Sequence, residues 1–353
     1  MYSPHSGQRE LSYAQALHEG TAQEMERDPN VFVLGLGVDD PKGMYGTTQG
    51  LHGRFGALRN LDTPLSEDAM TGVAVGAALA GMRPIHVHQR MDFVMLCMNQ
   101  LVNVAAKTRY LFGAEFSVPL VVRAIVGRSW GQGAQHSQAF HSFFMHVPGI
   151  KVVAPATPYD AKGCIIAAIR DDNPVIFMEH RMLYGHRGAV PQEPYTVSFG
   201  KARVLTRGRD VTLVAISHMV VESLRAYHHL LDAGVQAEVI DPVSLAPLDM
   251  ETIAESVART GRLLVVDNSW TCAGASAEIA AQILERFQGE RPVRVRRMGF
   301  APVPCPTTRS LETLFYPDSR TIATTAHAMV RGESDWQPKA AEASEIAEFK
   351  GPF

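Results

Sequence analysis

Along this chain, short uninterrupted apolar runs alternate with longer stretches in which apolar residues return every three or four positions. Val31 to Leu36 is the first continuous run and predicts a strand buried on both faces. Ahead of it, Ser12 and Gln15 have capping-box spacing and predict a helix to about Glu26. Residues 67 to 81 read as a helix of small apolar residues, entered through Pro64 and Ser66 and closed by Gly81 and Pro84. Ile85 to Val87 predicts a strand, and from Asp92 a helix follows with Phe93, Leu96, Cys97, Leu101 and Val104 at helical spacing. Then come a strand over Val118 to Val126, a helix over Gln135 to His146 and a strand over Lys151 to Ala154. A helix over Pro158 to Arg170 and a strand over Asn173 to Glu179 close the series.

Strands alternating with helices of these lengths predict parallel βαβ units, with helices on both faces of a sheet. After His186 the pattern breaks into a Gly- and Pro-containing polar stretch, which reads as a linker. A second alternating series follows. Its strands fall at Val211–Ile216, Ala237–Ile240, Leu263–Val266 and Val293–Arg297, and its helices near Val220–Leu231, Met250–Ala258 and Ala275–Phe287. The expected architecture is α/β with two doubly wound domains, over residues 1–186 and 204–335. A linker at 187–203 joins them, and a polar, alanine-rich tail occupies 336–353.

Composition narrows the function without naming it. The chain has 353 residues, 46% hydrophobic and 20% charged, enough for two cores. A formal net charge of -3 gives no reason to expect nucleic acid or an anionic membrane as partner. The four cysteines are scattered, without a C-x-x-C pair, and suit a reducing compartment. The N-terminus lacks the basic and apolar regions of a secretory signal, and no uncharged apolar run reaches about 18 residues, so a cytoplasmic location is expected.

Several local patterns carry candidate chemistry. Glu67 opens the small-residue helix, where Gly72, Ala74, Gly76, Ala77, Ala78 and Ala80 would let another backbone or a flat ligand approach. An acid there is a candidate for proton chemistry and equally a plain first-turn acid. Gly127-Arg-Ser-Trp-Gly131 matches the nucleophile-elbow spacing after a strand, but the chain continues into a loop rather than a helix, which speaks against a serine hydrolase. Gly35 and Gly37 lack the third glycine of a dinucleotide fingerprint and read as a turn. His86 and His88 alternate along a strand, but no third ligand stands at a metal-site spacing, so structural roles are favoured. His136 lies between a glycine-rich loop and a predicted helix. Read alone, a helix cap and a proton-transfer imidazole stay equally open.

Taken together, the motifs resemble the β-subunits of thiamine-diphosphate-dependent 2-oxo acid dehydrogenases, the decarboxylating first components of the pyruvate, branched-chain and acetoin complexes. The resemblance runs from about Leu11 to Val330. It is carried by Thr63-Pro-Leu-Ser-Glu67, Gly76-Ala-Ala-Leu-Ala-Gly81-Met-Arg-Pro84, Gln135-His-Ser-Gln138, Pro148-Gly-Ile-Lys-Val-Val-Ala-Pro155, Pro158-Tyr-Asp-Ala-Lys-Gly163 and Arg170-Asp-Asp-Asn-Pro174. It implies a transketolase-like pyrimidine-binding domain followed by a transketolase C-terminal domain.

The same resemblance implies roles. Glu67 corresponds to the glutamate that hydrogen-bonds the cofactor's aminopyrimidine ring and favours its imino tautomer. Phe93 corresponds to the aromatic residue packed on that ring, with Gln89 nearby in the cofactor site. His136 corresponds to a histidine assisting proton movements or reductive acylation of a lipoyl group. Backbone carbonyls of Leu120, Ala168, Ile169, Asp171 and Asn173 correspond to a potassium site in some relatives. The chain has neither the Gly-Asp-Gly nor the Asn-Asn element that holds Mg2+ and the diphosphate. An α-subunit is therefore expected to supply that half, in an α2β2 heterotetramer that passes the acyl unit to a lipoyl acyltransferase or other acceptor. Transketolase-like transfer of a two-carbon ketol unit and a non-catalytic scaffold subunit remain as alternatives.

Two stretches depart from the family pattern. Gln89-Arg-Met-Asp92 stands where pyruvate-type subunits carry a Met-Thr-Phe-Asn-like segment, which suggests a different or more polar substrate. Val266-Asp-Asn-Ser-Trp270 replaces an acidic, Glu-containing turn.

Overall fold

The computed structural model describes residues 9–127, 131–332 and 335–338. By contacts the described chain forms two compact units. The first holds residues 9–127 and 136–199; the second holds 131–135 and everything from residue 200 onward.

In the first unit, a parallel sheet runs in the order Lys151–Val153, Val175–His180, Val121–Val126, Arg83–His88, Val31–Gly35, Asn60–Asp62. The central strands are apolar and buried along nearly their whole length, as a parallel sheet covered on both faces requires. The helix Tyr13–Arg27 starts on the expected capping box, Ser12 and Gln15 each satisfying the other's backbone N–H. It packs against Pro158–Arg170. Two buried charges staple that pair: Glu24 receives Arg170 at 2.6 Å, and Lys162 reaches Glu19 at 2.6 Å.

Arg187–Ala189, inside the span expected as a linker, pairs antiparallel with Glu10–Ser12. Lys162 donates to the carbonyls of Pro191, Gln192 and Glu193, so the chain beyond that strand stays tied to the first unit. In the second unit the sheet order is Arg294–Phe300, Arg262–Trp270, Val211–Ala215, Ala237–Asp241, Arg203–Val204, with only the last pairing antiparallel. Its helices include Met219–Asp232, Met250–Thr260 and Ala275–Phe287, matching the predicted segments within two residues. Two further helices, Arg309–Phe315 and Ser319–Arg331, lie beyond the elements the pattern predicts. Among the described residues, no helix is long and apolar enough to cross a membrane.

Two predicted helices of the first unit need correction. The segment after Met91 is helical but irregular, passing through a π-helical stretch at Asn99–Ala105. Leu96, in a 3-10 turn, and Val104, in the π-helical stretch, are exposed while Cys97 and Leu101 are buried. The predicted helix over Gln135–His146 is reduced to His141–Met145. His136 therefore stands on irregular backbone.

Candidate active site

Glu67, Gln89, Phe93 and His136 lie on segments that leave the carboxyl ends of Asn60–Asp62, Arg83–His88 and Val121–Val126, whereas the potassium candidate Leu120 precedes Val121 at the opposite end of its strand. Open parallel sheets present ligand-binding groups at the carboxyl edge, because the helices return the chain to the opposite end. Glu67 is the first residue of the helix Glu67–Leu79, where an acid complements the helix dipole. Ser66 makes no side-chain cap, contrary to the entry signal in the sequence. The Glu67 carboxylate is half-buried, and among the described residues it makes no hydrogen bond or ion pair.

One turn on, Thr71 shares a hydrogen bond with His86 Nδ1 at 3.2 Å and lies beside the Cys97 thiol. This ties the Glu67 helix to the segment carrying Phe93. Burial pushes the Cys97 thiol up to about 11, and the charges of Glu67 and Asp68 push in the same direction.

Phe93 and His136 are in contact. Their rings meet edge to face with centroids 5.3 Å apart. Both are half-buried, and no described residue hydrogen-bonds the His136 imidazole. The loop bearing His136 is held by a residue the sequence reading assigned no role. Asp92 Oδ1 accepts from the Gln138 backbone N–H at 3.2 Å and from its side-chain amide at 2.9 Å. Burial raises the Asp92 carboxyl above its ordinary range, with those hydrogen bonds and nearby His136 opposing. The only sequence signal for this tie was the presence of Gln138 in the Gln135-His-Ser-Gln138 motif. Gln89 is half-buried and turns its amide onto the Leu36 carbonyl at 3.0 Å.

His86 and His88 do share a face, their rings 4.1 Å apart. Burial lowers His86 to about 4 and His88 well below its ordinary value, so both are neutral near pH 7. Among the described residues, no group of three or more His, Cys, Asp or Glu is placed to hold a metal ion. Four of the five carbonyls expected around potassium are engaged in protein contacts. Arg83 donates to Ile169 O at 2.9 Å and Asp171 O at 3.1 Å, Val175 N to Leu120 O at 2.9 Å, and Asp171 N to Ala168 O at 3.2 Å. Lys151 and the Asn173 amide take the Asp171 carboxylate.

Of the elbow-like motif, Arg128, Ser129 and Trp130 lie outside the described residues. Its Gly127 has φ 117°, and a Cβ there would stand 2.7 Å from the His180 ring. Gly35, at φ 154°, has the Val87 carbonyl 2.5 Å from where a Cβ would be, and the chain turns after it without starting a helix.

Comparison with known proteins agrees with this architecture. Residues 9–187 match the family model described as transketolase, pyrimidine binding domain, and residues 200–322 match transketolase, C-terminal domain. The chain is 43% identical over 334 residues to the β-subunit of acetoin:2,6-dichlorophenolindophenol oxidoreductase from Cupriavidus necator, spanning 92% of this chain and 98% of that protein. It is 42% identical over 297 residues to the pyruvate dehydrogenase E1 component subunit beta of Porphyra purpurea, covering 84% and 90% respectively. Among solved structures, one described as "Split gene transketolase, inactive beta4 tetramer" superposes with a TM-score of 0.74 at 20% identity, over 91% of this chain and 98% of that one. That last likeness is one of fold.

Proposed function

This chain belongs to the family of transketolase-type β-subunits of 2-oxo acid dehydrogenase first components, and we propose that it contributes the proton-handling half of a thiamine-diphosphate site shared with an α-subunit. The observation that carries this reading is the unpaired state of Glu67 and His136. Glu19, Glu24 and Glu179 of the same unit are all matched by cations, whereas the Glu67 carboxylate is half-buried with none of its acceptor sites used by a described side chain. A carboxylate left open at a helix mouth, in the same unit as a half-buried aromatic ring and an imidazole that no described residue hydrogen-bonds, fits an aminopyrimidine that must be held and protonated.

Within that site Glu67 would hold the ring nitrogen's proton, Phe93 would pack against the ring, and Gln89 would border it. His136 moves a proton near the substrate from a loop that Asp92 fixes in place. When bound, thiamine diphosphate supplies the nucleophilic carbon and electron sink that loss of CO2 from a 2-oxo acid requires. The diphosphate and its Mg2+ belong to the α-subunit, because this chain lacks the motifs for them. The assembly is α2β2 and hands the acyl unit to a lipoyl carrier in the cytoplasm, consistent with Cys97, Cys164, Cys272 and Cys305 being thiols outside any disulfide. A potassium ion would have to use second lone pairs of the Leu120, Ala168, Ile169 and Asp171 carbonyls, together with Asn173, and share two of them with Arg83.

The test is a titration of thiamine diphosphate and Mg2+ into this chain alone and into its complex with the α-subunit. Tight binding by the complex only is expected. Equal affinity for the isolated chain would sink the shared-site reading.

A further inference from the structure

Arg90 follows the strand Arg83–His88 and precedes the short helix Met91–Val94, and its carbonyl accepts the Phe93 N–H at 3.2 Å. It thus belongs to the backbone that presents the proposed cofactor residues. Its side chain is nearly buried, with the residue 9% exposed. One arm of the guanidinium is occupied: Nη1 donates to the Tyr45 hydroxyl at 2.8 Å and to the Gln89 carbonyl at 2.7 Å. The opposite edge is empty. Nε is buried without an acceptor, Nη2 donates to no described residue, and no described carboxylate lies within ion-pair reach. Arg123 and Arg170 of the same unit each fork onto a glutamate.

A guanidinium stays charged, and removing it from water without a counter-anion is costly. The Nε–Nη2 edge can donate two parallel hydrogen bonds to the two oxygens of a carboxylate. The residue that fixes the other arm is itself strained. Tyr45 has φ 50°, in the left-handed region where bulky side chains are rare. Its turn is locked around it: Met44 N donates to Thr48 Oγ1 at 2.8 Å, Thr47 Oγ1 to Met44 O at 2.6 Å, and Arg123 Nη2 to Thr47 Oγ1 at 2.7 Å. Strain enforced in this way concentrates where a group must be presented to a ligand.

Resting on the reading above, we propose that Arg90, presented by Tyr45, receives a carboxylate at the far end of the substrate, so that the enzyme selects 2-oxo acids bearing a second carboxylate. The carboxylate that leaves as CO2 is a poor partner for this edge. It loses its charge in the transition state, and a cation bound to it would favour the ground state and slow the step. A distal carboxylate keeps its charge throughout, so holding it lowers KM without opposing the chemistry.

The experiment uses the complex with the α-subunit and pairs of 2-oxo acids of equal chain length, one ending in a carboxylate and the other in a methyl group. CO2 release is followed. The wild type should prefer the terminal carboxylate by at least roughly tenfold in kcat/KM, expressed in KM, as a charge-assisted pair supports. Arg90→Gln should bring that ratio towards one by raising KM for the dicarboxylate alone, and Tyr45→Phe should lower it partway. A wild-type preference for the neutral substrate, or an unchanged ratio in Arg90→Gln, overturns the proposal. If Arg90→Gln does not assemble, inhibition of the wild type by an unreactive aliphatic dicarboxylate and by its monomethyl ester decides, equal inhibition counting against Arg90. Should no 2-oxo acid release CO2, the parent reading fails. Binding of the dicarboxylate and its monoester to the complex then still tests Arg90.

Discussion

Two helices of the first unit, Glu67–Leu79 and Pro158–Arg170, are both 13 residues long, yet they are built to opposite rules. Pro158–Arg170 begins on a proline, is capped by Thr157 Oγ1 accepting from Asp160 N at 3.0 Å, and buries ten of its residues. Its first-turn acid, Asp160, is buried and takes a hydrogen bond from Thr157 at 2.7 Å. Glu67–Leu79 has no side-chain cap and buries only Thr71, Ala74, Val75 and Ala78. Its first-turn acid is open, and Val73 on its outer face is 55% exposed. One helix is finished within this chain. The other has an open acid and an outer face at Val73, Gly76 and Leu79 that no described residue covers, as expected of a surface completed by a second subunit and a ligand.

The largest expected effect tests the open acid. Glu67→Gln removes a charge that no described residue pairs with, so the folded complex and its thermal stability should persist. Turnover should fall by about 100-fold or more, the usual share of a positioned proton-transfer group. Near-normal turnover would remove Glu67 from the mechanism, whereas a marked loss of stability would make it a structural acid like Asp160.

A smaller effect lies beneath the same helix. His86, hydrogen-bonded to Thr71 from below, is lowered to about 4 by burial, against 6.5 for a free imidazole. The unfolded chain therefore takes up this proton first as pH falls. Its stabilising contribution is complete above pH 6.5, shrinks between 6.5 and 4, and is lost below that, a difference of about 3 kcal/mol. His88, stacked beside it and shifted the same way, adds to the trend. Thermal melts from pH 7 to 4.5 should show His86→Asn with a flatter decline than the wild type. Parallel curves would mean that His86 is not held neutral.

The same contrast explains what could be read from the sequence. The Pro158–Arg170 helix was legible to the residue because proline, cap and periodicity all act locally. The wound strands were legible because burial on both faces leaves continuous apolar runs. His136 was placed on a helix that begins only at His141, because the N–H groups of Gln138 and Phe140 are taken by Asp92 Oδ1 and Met91 Sδ from another segment, and spacing cannot report such a bond. The exposure of Leu96 and Val104 goes with a change from a 3-10 turn to a π-helical stretch that 3.6-residue periodicity does not anticipate. Pairing of Glu10–Ser12 with Arg187–Ala189 escaped because three residues carry no periodic signal. Glu67, Phe93 and His136 are proposed as site residues from family motifs alone. The state that matters most, an acid and an imidazole left unpaired, is a property of what does not touch them and has no sequence signature.

The smallest effect separates the two helices through one methyl group each. An added Cβ at Gly163 would stand 2.4 Å from Val197 Cγ2 and 2.8 Å from the Tyr195 ring, inside a packed contact. Gly163→Ala should therefore destabilise the chain by about 1–3 kcal/mol through overpacking, despite alanine's better helix propensity. At Gly76 an added Cβ meets nothing within 4 Å. Gly76→Ala should leave the isolated chain as stable or raise its stability by about 0.5–1 kcal/mol, since a helical glycine is replaced by the best helix former. If this face is completed by another subunit, the same methyl intrudes there, and the α-complex of Gly76→Ala should dissociate at higher concentration than the wild type. Thermal melting of each variant alone, with the dissociation constant of each complex, gives both readings. A Gly76→Ala chain that gains stability and binds its partner unchanged would show that the small-residue face is not where the partner closes the site.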